Sequence, residues 1–156
     1  MLFRSLEPML DLRNLTEHEI RKLGNDQLDA LVAKHVMGLR VRERSSGDAE
    51  YFSHYEEDEF DEVSMVWKRV PRYSKDMEEA WKIVEQMANQ GYDVQIGYDD
   101  YPGHWHVTFK KRVGPRRFAA RGGAVDKKSA ARAICCAALK AKLKEGRPCE
   151  IGRMAR

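Results

Sequence analysis

Val70-Pro71-Arg72-Tyr73-Ser74-Lys75-Asp76-Met77-Glu78-Glu79-Ala80-Trp81 decides how this chain folds, together with Leu28-Asp29-Ala30-Leu31-Val32-Ala33-Lys34-His35-Val36-Met37-Gly38. In each stretch a start or stop signal meets an apolar pattern of helical period. Val70-Pro71 breaks the preceding element, because proline drives the residue before it out of the helical region. Ser74 is then placed to cap a helix with an apolar stripe of Met77, Ala80, Trp81, Val84, Met87 and Ala88, and Gly91 ends it. In the earlier block Asn25 or Asp26 is the cap. Leu28, Leu31, Val32, His35 and Val36 recur at helical spacing, and Gly38 stands where a helix stops.

Working outward, Thr16-Glu17-His18-Glu19 is a capping box that opens a short helix ending near Gly24. Leu39 to Arg44 and Ser64 to Lys68 read as strands, the second with Trp67 turned to the core, and Ser45-Ser46-Gly47-Asp48 reads as a loop. Beyond the 74–91 helix, Tyr92 to Tyr98 alternates strictly, Asp99 to Gly103 is a turn, and His104 to Lys110 alternates again, which predicts a hairpin. Arg116 to Arg121 is a third strand or a basic loop. Asp126 caps a last helix running to about Lys144, with Ile134, Ala137, Ala138 and Ala141 inward and Lys128, Arg132, Cys136, Lys140 and Lys144 forming an outer row. The fold class is therefore α+β. A small antiparallel sheet of about three to five strands is covered by helices, with α-β-β-β-α order in the C-terminal half. The division is an extension over 1–25, one domain over 26–145 and a tail over 146–156.

The chain has 156 residues, 42% of them apolar, enough for one domain with a real core. Apolar runs are too short for a membrane span of about 20 residues, and the first seven residues do not form a secretory signal. Three cysteines, two of them adjacent, make no disulfide framework. The expectation is a cytoplasmic protein. Net charge is +3, but residues 110–156 hold 15 Lys or Arg against 3 acids, so +12 sits there and −9 on the rest. Position, not total, sets the field of a protein. Lys110, Lys111, Arg112, Arg116, Arg117, Arg121, Lys127, Lys128 and Arg132 form the candidate binding set for a polyanion or an acidic protein, with His104 beside them. Glu56, Glu57, Asp58, Glu59, Asp61 and Glu62 form an acidic run with Phe60. It reads as a solvated loop, or as a contact segment that imitates phosphate spacing.

Catalytic patterns are thin. His104 and His106 share a strand face at a spacing that can clamp a metal, but no third ligand is fixed by the sequence, and they read as exposed strand histidines. His35 fills an apolar helical position. Cys135 and Cys136 fall on a helix without a partner base, so they read as structural. Asp99 and Asp100 are turn residues, and Gly122-Gly123 lacks the context of a phosphate loop. No enzyme, metal or cofactor is predicted. A small nucleotide remains an option, with arginines on phosphate and Tyr98, Tyr101 or Trp105 stacked on a base.

The blocks together resemble the phage ABA sandwich domain family. The matching words are Leu28–Gly38, Trp67 with Val70-Pro71-Arg72-Tyr73-Ser74, Ala80–Glu85, Trp105–Phe109 and Ala133–Leu139, over about residues 26–143. The resemblance implies a sheet held between helices in a phage or prophage protein, with no catalytic residues. On that footing the expected function is binding to a host protein complex, with antagonism of a host defence as one role. From Asp76 onward the order also resembles a double-stranded-RNA-binding domain. Pro102-Gly103-His104 falls in its first hairpin turn, and Lys127-Lys128-Ser129-Ala130 opens its last helix. That implies nucleic acid as the alternative partner, held by free N–H groups and lysines at the helix N-terminus.

Overall fold

A computed structural model describes residues 11–44, 47–57, 59–100, 103–114 and 117–145, and for 112–114 and 117–120 the backbone alone. After a 3-10 turn at Leu12–Asn14, the order is α1 (Glu17–Lys22), α2 (Asn25–His35), β1 (Val41–Glu43), β2 (Ala49–Glu57), β3 (Val63–Arg69), α3 (Met77–Asn89), β4 (Tyr92–Asp99), β5 (His104–Gly114), β6 (Arg117–Asp126) and α4 (Ala130–Glu145). Where one sheet of about three to five strands was expected, six strands form two antiparallel sheets of three, ordered β1-β2-β3 and β4-β5-β6. The α-β-β-β-α order of the C-terminal half stands. The segment 146–156 lies outside the described residues.

Helix starts follow local chemistry, with two corrections. Thr16 Oγ1 accepts the Glu19 N–H at 3.2 Å, so the capping box opens α1 as read. For α2 the cap is Gly24, and the Gln27 side chain reaches back to its N–H at 3.4 Å, so Asn25 is already helical. For α3 the cap is Asp76, whose carboxylate accepts from the Glu78 N–H at 2.9 Å, not Ser74. Ser74 is instead buried, and its N–H donates to Asp29 Oδ1 at 2.7 Å. The stripe of α3 is also rotated from the expected one. Ala80, Ile83, Val84 and Met87 are buried, while Trp81 is 50% exposed.

The strand β2 is absent from the sequence reading, and Glu56 and Glu57 belong to it rather than to a loop. Glu59, Asp61 and Glu62 lie at the turn into β3, and Asp58 lies outside the described residues. Trp67 does not enter the core. It is half-buried, packed on Phe52 and capped by the Arg42 guanidinium 3.9 Å from the ring centre.

The core gathers on α4, which buries Ile134, Cys135, Ala137, Ala138, Leu139 and Ala141 completely. β5 and β6 pack on one side of it and α2 and α3 on another. The row expected on its outside is outside at its ends, Lys128 and Lys144, but not in its middle. Cys136 is buried and Arg132 half-buried, because α1 and α2 also lean on this helix. Leu12, Ile20 and Leu23, from the segment set apart as an extension, join the same core. The close fit of α4 to the sheet needs Gly122. A Cβ there would collide with the backbone of Ala137 and Ala141. Replacing Gly122 with Ala should lower stability by about 1–3 kcal/mol through overpacking. Gly123→Ala meets its nearest atoms at an ordinary 3.8 Å and should stay within about 0.5 kcal/mol of the parent. Urea unfolding of the pair gives the comparison.

Asp29 makes a second point of stability measurable. Burial pushes its pKa up against the opposing pull of the Ser74 N–H. A carboxyl raised in the folded state favours folding most when protonated, so its contribution falls as pH rises from its unfolded value through its folded one. Asp29→Asn keeps an acceptor for Ser74 and removes the charge. It should match or exceed the parent at pH 7 and lose that advantage towards acid pH. Asp29→Ala strands the Ser74 N–H and should cost about 1–3 kcal/mol. Thermal melts across pH read both.

Candidate binding groove

Register brings the candidate residues to one end of the second sheet. Asp99 pairs with His104, and Trp105 pairs with Asp126, so the β4–β5 turn and the entry to α4 are neighbours. Asp126 accepts from the N–H groups of Lys128 at 2.9 Å and Ser129 at 2.8 Å, and Ser129 Oγ accepts from the Arg132 N–H at 3.1 Å. This capping leaves Lys127 and Lys128 exposed. It also corrects one expectation, since those N–H groups at the helix entry are occupied by the chain's own side chains.

Between the β6 edge and α4 runs an open groove of about 580 Å³, lined by His104, His106, Lys127, Lys128, Arg132 and Lys140 among others. The outer sheet face carries it further. His104, His106, Thr108 and Lys110 alternate along β5 and so share a face. Arg121 is the register partner of Lys110 on β6 and is exposed. From Lys127 to Lys110 this makes a basic track of about 20 Å at about 3.4 Å per strand residue. Gly97 shapes its middle, because a Cβ there would run into the His106 ring. His106 therefore lies across β4.

The rest of the basic set is divided. Arg132 is a fastener. Its guanidinium donates to Asn25 Oδ1 at 2.6 Å and to the carbonyls of Leu23 at 2.6 Å and Arg21 at 3.1 Å, with Asp126 3.8 Å away. Lys111 is on the inner side and is paired with Glu145 at 3.2 Å. Burial alone would raise the pKa of Glu145, but the Tyr92 hydroxyl, Lys142 and Lys111 outweigh it and hold the carboxyl low. Lys140 donates to the Gly123 carbonyl at 3.0 Å. Arg116 and the side chains of Arg112 and Arg117 lie outside the described residues. Sequence reasoning did not place Arg21 or Lys140 at the groove. Lys140 had a signal in its four-residue spacing from Arg132 and Cys136, whereas Arg21 had none.

Acids temper the track. Asp99 Oδ2 is 3.4 Å from His104 Nε2 and 3.7 Å from His106 Nε2, and Asp93 stands opposite Lys110. Among the described residues no His, Cys, Asp and Glu group has the arrangement to hold a metal ion. Burial pushes the thiol of Cys136 up against the opposing pull of Arg132 and Lys140, and that of Cys135 far up, so both are held in the protonated, weakly nucleophilic form. The acidic run is on the other sheet, where Glu56 Oε1 pairs with His54 Nε2 at 2.8 Å.

No helix among the described residues is long and apolar enough to cross a membrane. Compared with known proteins, the chain matches no curated protein and no solved structure. The family description of the phage ABA sandwich domain does match, over residues 30–139, a span from the middle of α2 into the second half of α4, and the chain belongs to that phage-associated family.

Proposed function

We propose that this protein acts by binding, without chemistry of its own, and that the basic track along β6 takes an acidic segment of a host protein complex. The observation that carries this reading is the placement of exposed Lys127 and Lys128 at the mouth of a groove that continues past His104 and His106 to Lys110 and Arg121. Side-chain ammonium and guanidinium groups spaced along an edge suit carboxylates presented on an extended chain. The occupied N–H groups at the α4 entry favour such side-chain pairing over phosphate capture by the helix end. By analogy with other small phage proteins, antagonism of a host defence complex is the role this binding serves.

Double-stranded nucleic acid is the second reading, favoured by one observation. The α3-β4-β5-β6-α4 order brings His104 and Lys127-Lys128 to the same end of the sheet, as in a double-stranded-RNA-binding domain. The acids there, Asp76, Glu78 and Glu79 at the start of α3 and Asp99 beside His104, weigh against it by repelling phosphates. Charge reversal at Lys127, Lys128 and Arg121 should reduce capture of a host complex from lysate more than about tenfold and leave the circular dichroism unchanged. Capture that survives nuclease supports the protein partner. Gel shifts of duplex RNA that weaken steeply with salt transfer the track to nucleic acid, and undiminished capture by the triple variant removes it from function altogether.

A further inference from the structure

We propose that two copies of this chain pair antiparallel through the free edge of β3, forming a two-fold dimer with one continuous six-stranded sheet. Among the described residues β3 ends its sheet, with β2 packed along its other side. Its backbone is set for a further strand. The Phe52 N–H donates to the Arg40 carbonyl at 2.8 Å, so the backbone of Phe52 faces β1, and that of its register partner Trp67 faces away from β2. The Val70 N–H donates to Ala49 at 3.3 Å, which fixes the same alternation from the other end. The backbone groups of Val63, Met65, Trp67 and Arg69 therefore point off the sheet.

The side chains fit the same reading. Proteins normally guard an open edge with proline, a bulge or charged side chains, and β3 confines its charges to its end, at Lys68 and Arg69. β3 runs from Val63 to Arg69 without proline or glycine, and the bulge of this sheet lies on β2, between Phe52 and His54. Its outer face carries apolar groups left in water, with Tyr55 60%, Val63 59% and Met65 50% exposed beside the Phe52–Trp67 pair. Charge selects the occupant. Asp61-Glu62 precede the strand and Lys68-Arg69 end it, with Met65, Val66 and Trp67 between. Such a strand is complementary to its own reversed copy. A two-fold axis at Val66 sets Val63 against the partner's Arg69 and Met65 against the partner's Trp67, and brings Asp61-Glu62 beside the opposite basic end. A parallel pairing would stack like charges. The contact is isologous and closes at two copies.

Sedimentation equilibrium of the full chain from about 1 to about 300 µM tests this. The parent should pass from monomer to dimer. Met65→Pro removes an N–H that the monomer leaves unused, a position where a strand tolerates proline, so its circular dichroism should be unchanged while the dimer weakens more than about tenfold. Met65→Lys, a charge on the edge, should act in the same direction and stands in if the proline variant does not fold. A parent that stays monomeric over the whole range overturns the proposal. So does association of these variants as tight as the parent's, or open-ended growth beyond two copies.

Discussion

The contact on which the structure depends is the close approach of α4 to β6. A helix that lies flat on a sheet needs its backbone near the strands, and only small residues permit that. Gly122 supplies the gap on the strand, and Ala137 and Ala141 supply it on the helix. The consequence reaches every layer. With alanines against the sheet, Ile134, Leu139 and Leu143 remain to fill the space towards other elements, and all are buried. The helix thereby becomes the common support of α1, α2, α3 and the second sheet. Its axis also fixes where Lys127 and Lys128 emerge, so the position of the candidate groove follows from a packing constraint at Gly122, Ala137 and Ala141.

Polar fasteners complete what packing begins. Asp29 on α2 accepts the Ser74 N–H, and the Ser129 hydroxyl donates to the Ser74 carbonyl at 3.3 Å, so one residue ahead of α3 is tied to α2 and to the entry of α4. Arg132 does the same for the α1–α2 turn, satisfying the carbonyls of Arg21 and Leu23 where α1 ends. Helix ends leave carbonyls without partners, and a forked donor with several N–H groups suits that task. A guanidinium committed to three acceptors has little left for a ligand. This is why Arg132 lines the groove with its donors already engaged.

These ties explain what the sequence made legible. The existence of the helices, the capping box of α1, the β4–β5 hairpin and the small inward residues of α4 all rest on local signals, period and caps, and they stand in the structure, while the caps of α2 and α3 fall at Gly24 and Asp76. The family resemblance stands as well, since the family description matches residues 30–139, which hold nearly all of its words. The failures share a different cause. β2 reads poorly because Glu50, His54, Glu56 and Glu57 interrupt its apolar pattern and a bulge at Ser53 shifts its period. The stripe of α3 was misphased because Trp81 looks like a core residue by size and yet faces out, while Ile83 faces in. Arg132 and Lys111 looked available because their partners, Asn25 and Glu145, lie 107 and 34 residues away. Lys127, Lys128 and His104 were readable because the capped entry to α4 and the adjacent turn are local features.

The lopsided charge of the chain takes a definite spatial form. Some of the basic excess is absorbed by packing, through Lys111 and Lys142 on Glu145 and Lys144 on Glu17 at 3.0 Å. Lys127, Lys128 and Arg121 remain exposed on the second sheet and its exit, whereas Glu57, Glu59, Asp61 and Glu62 project from the hairpin of the first. Charges as far apart as the acidic hairpin and the α4 entry interact weakly once screening limits their reach to about 8 Å at physiological salt. They leave a molecule with a dipole, and a dipole orients an approaching charged partner before contact. Pairing at β3 would bring the acidic hairpins of two copies against opposing basic strand ends and leave both basic tracks on the other sheets unobstructed. The same charge separation that favours the proposed edge contact would thus keep the track open to the proposed acidic chain.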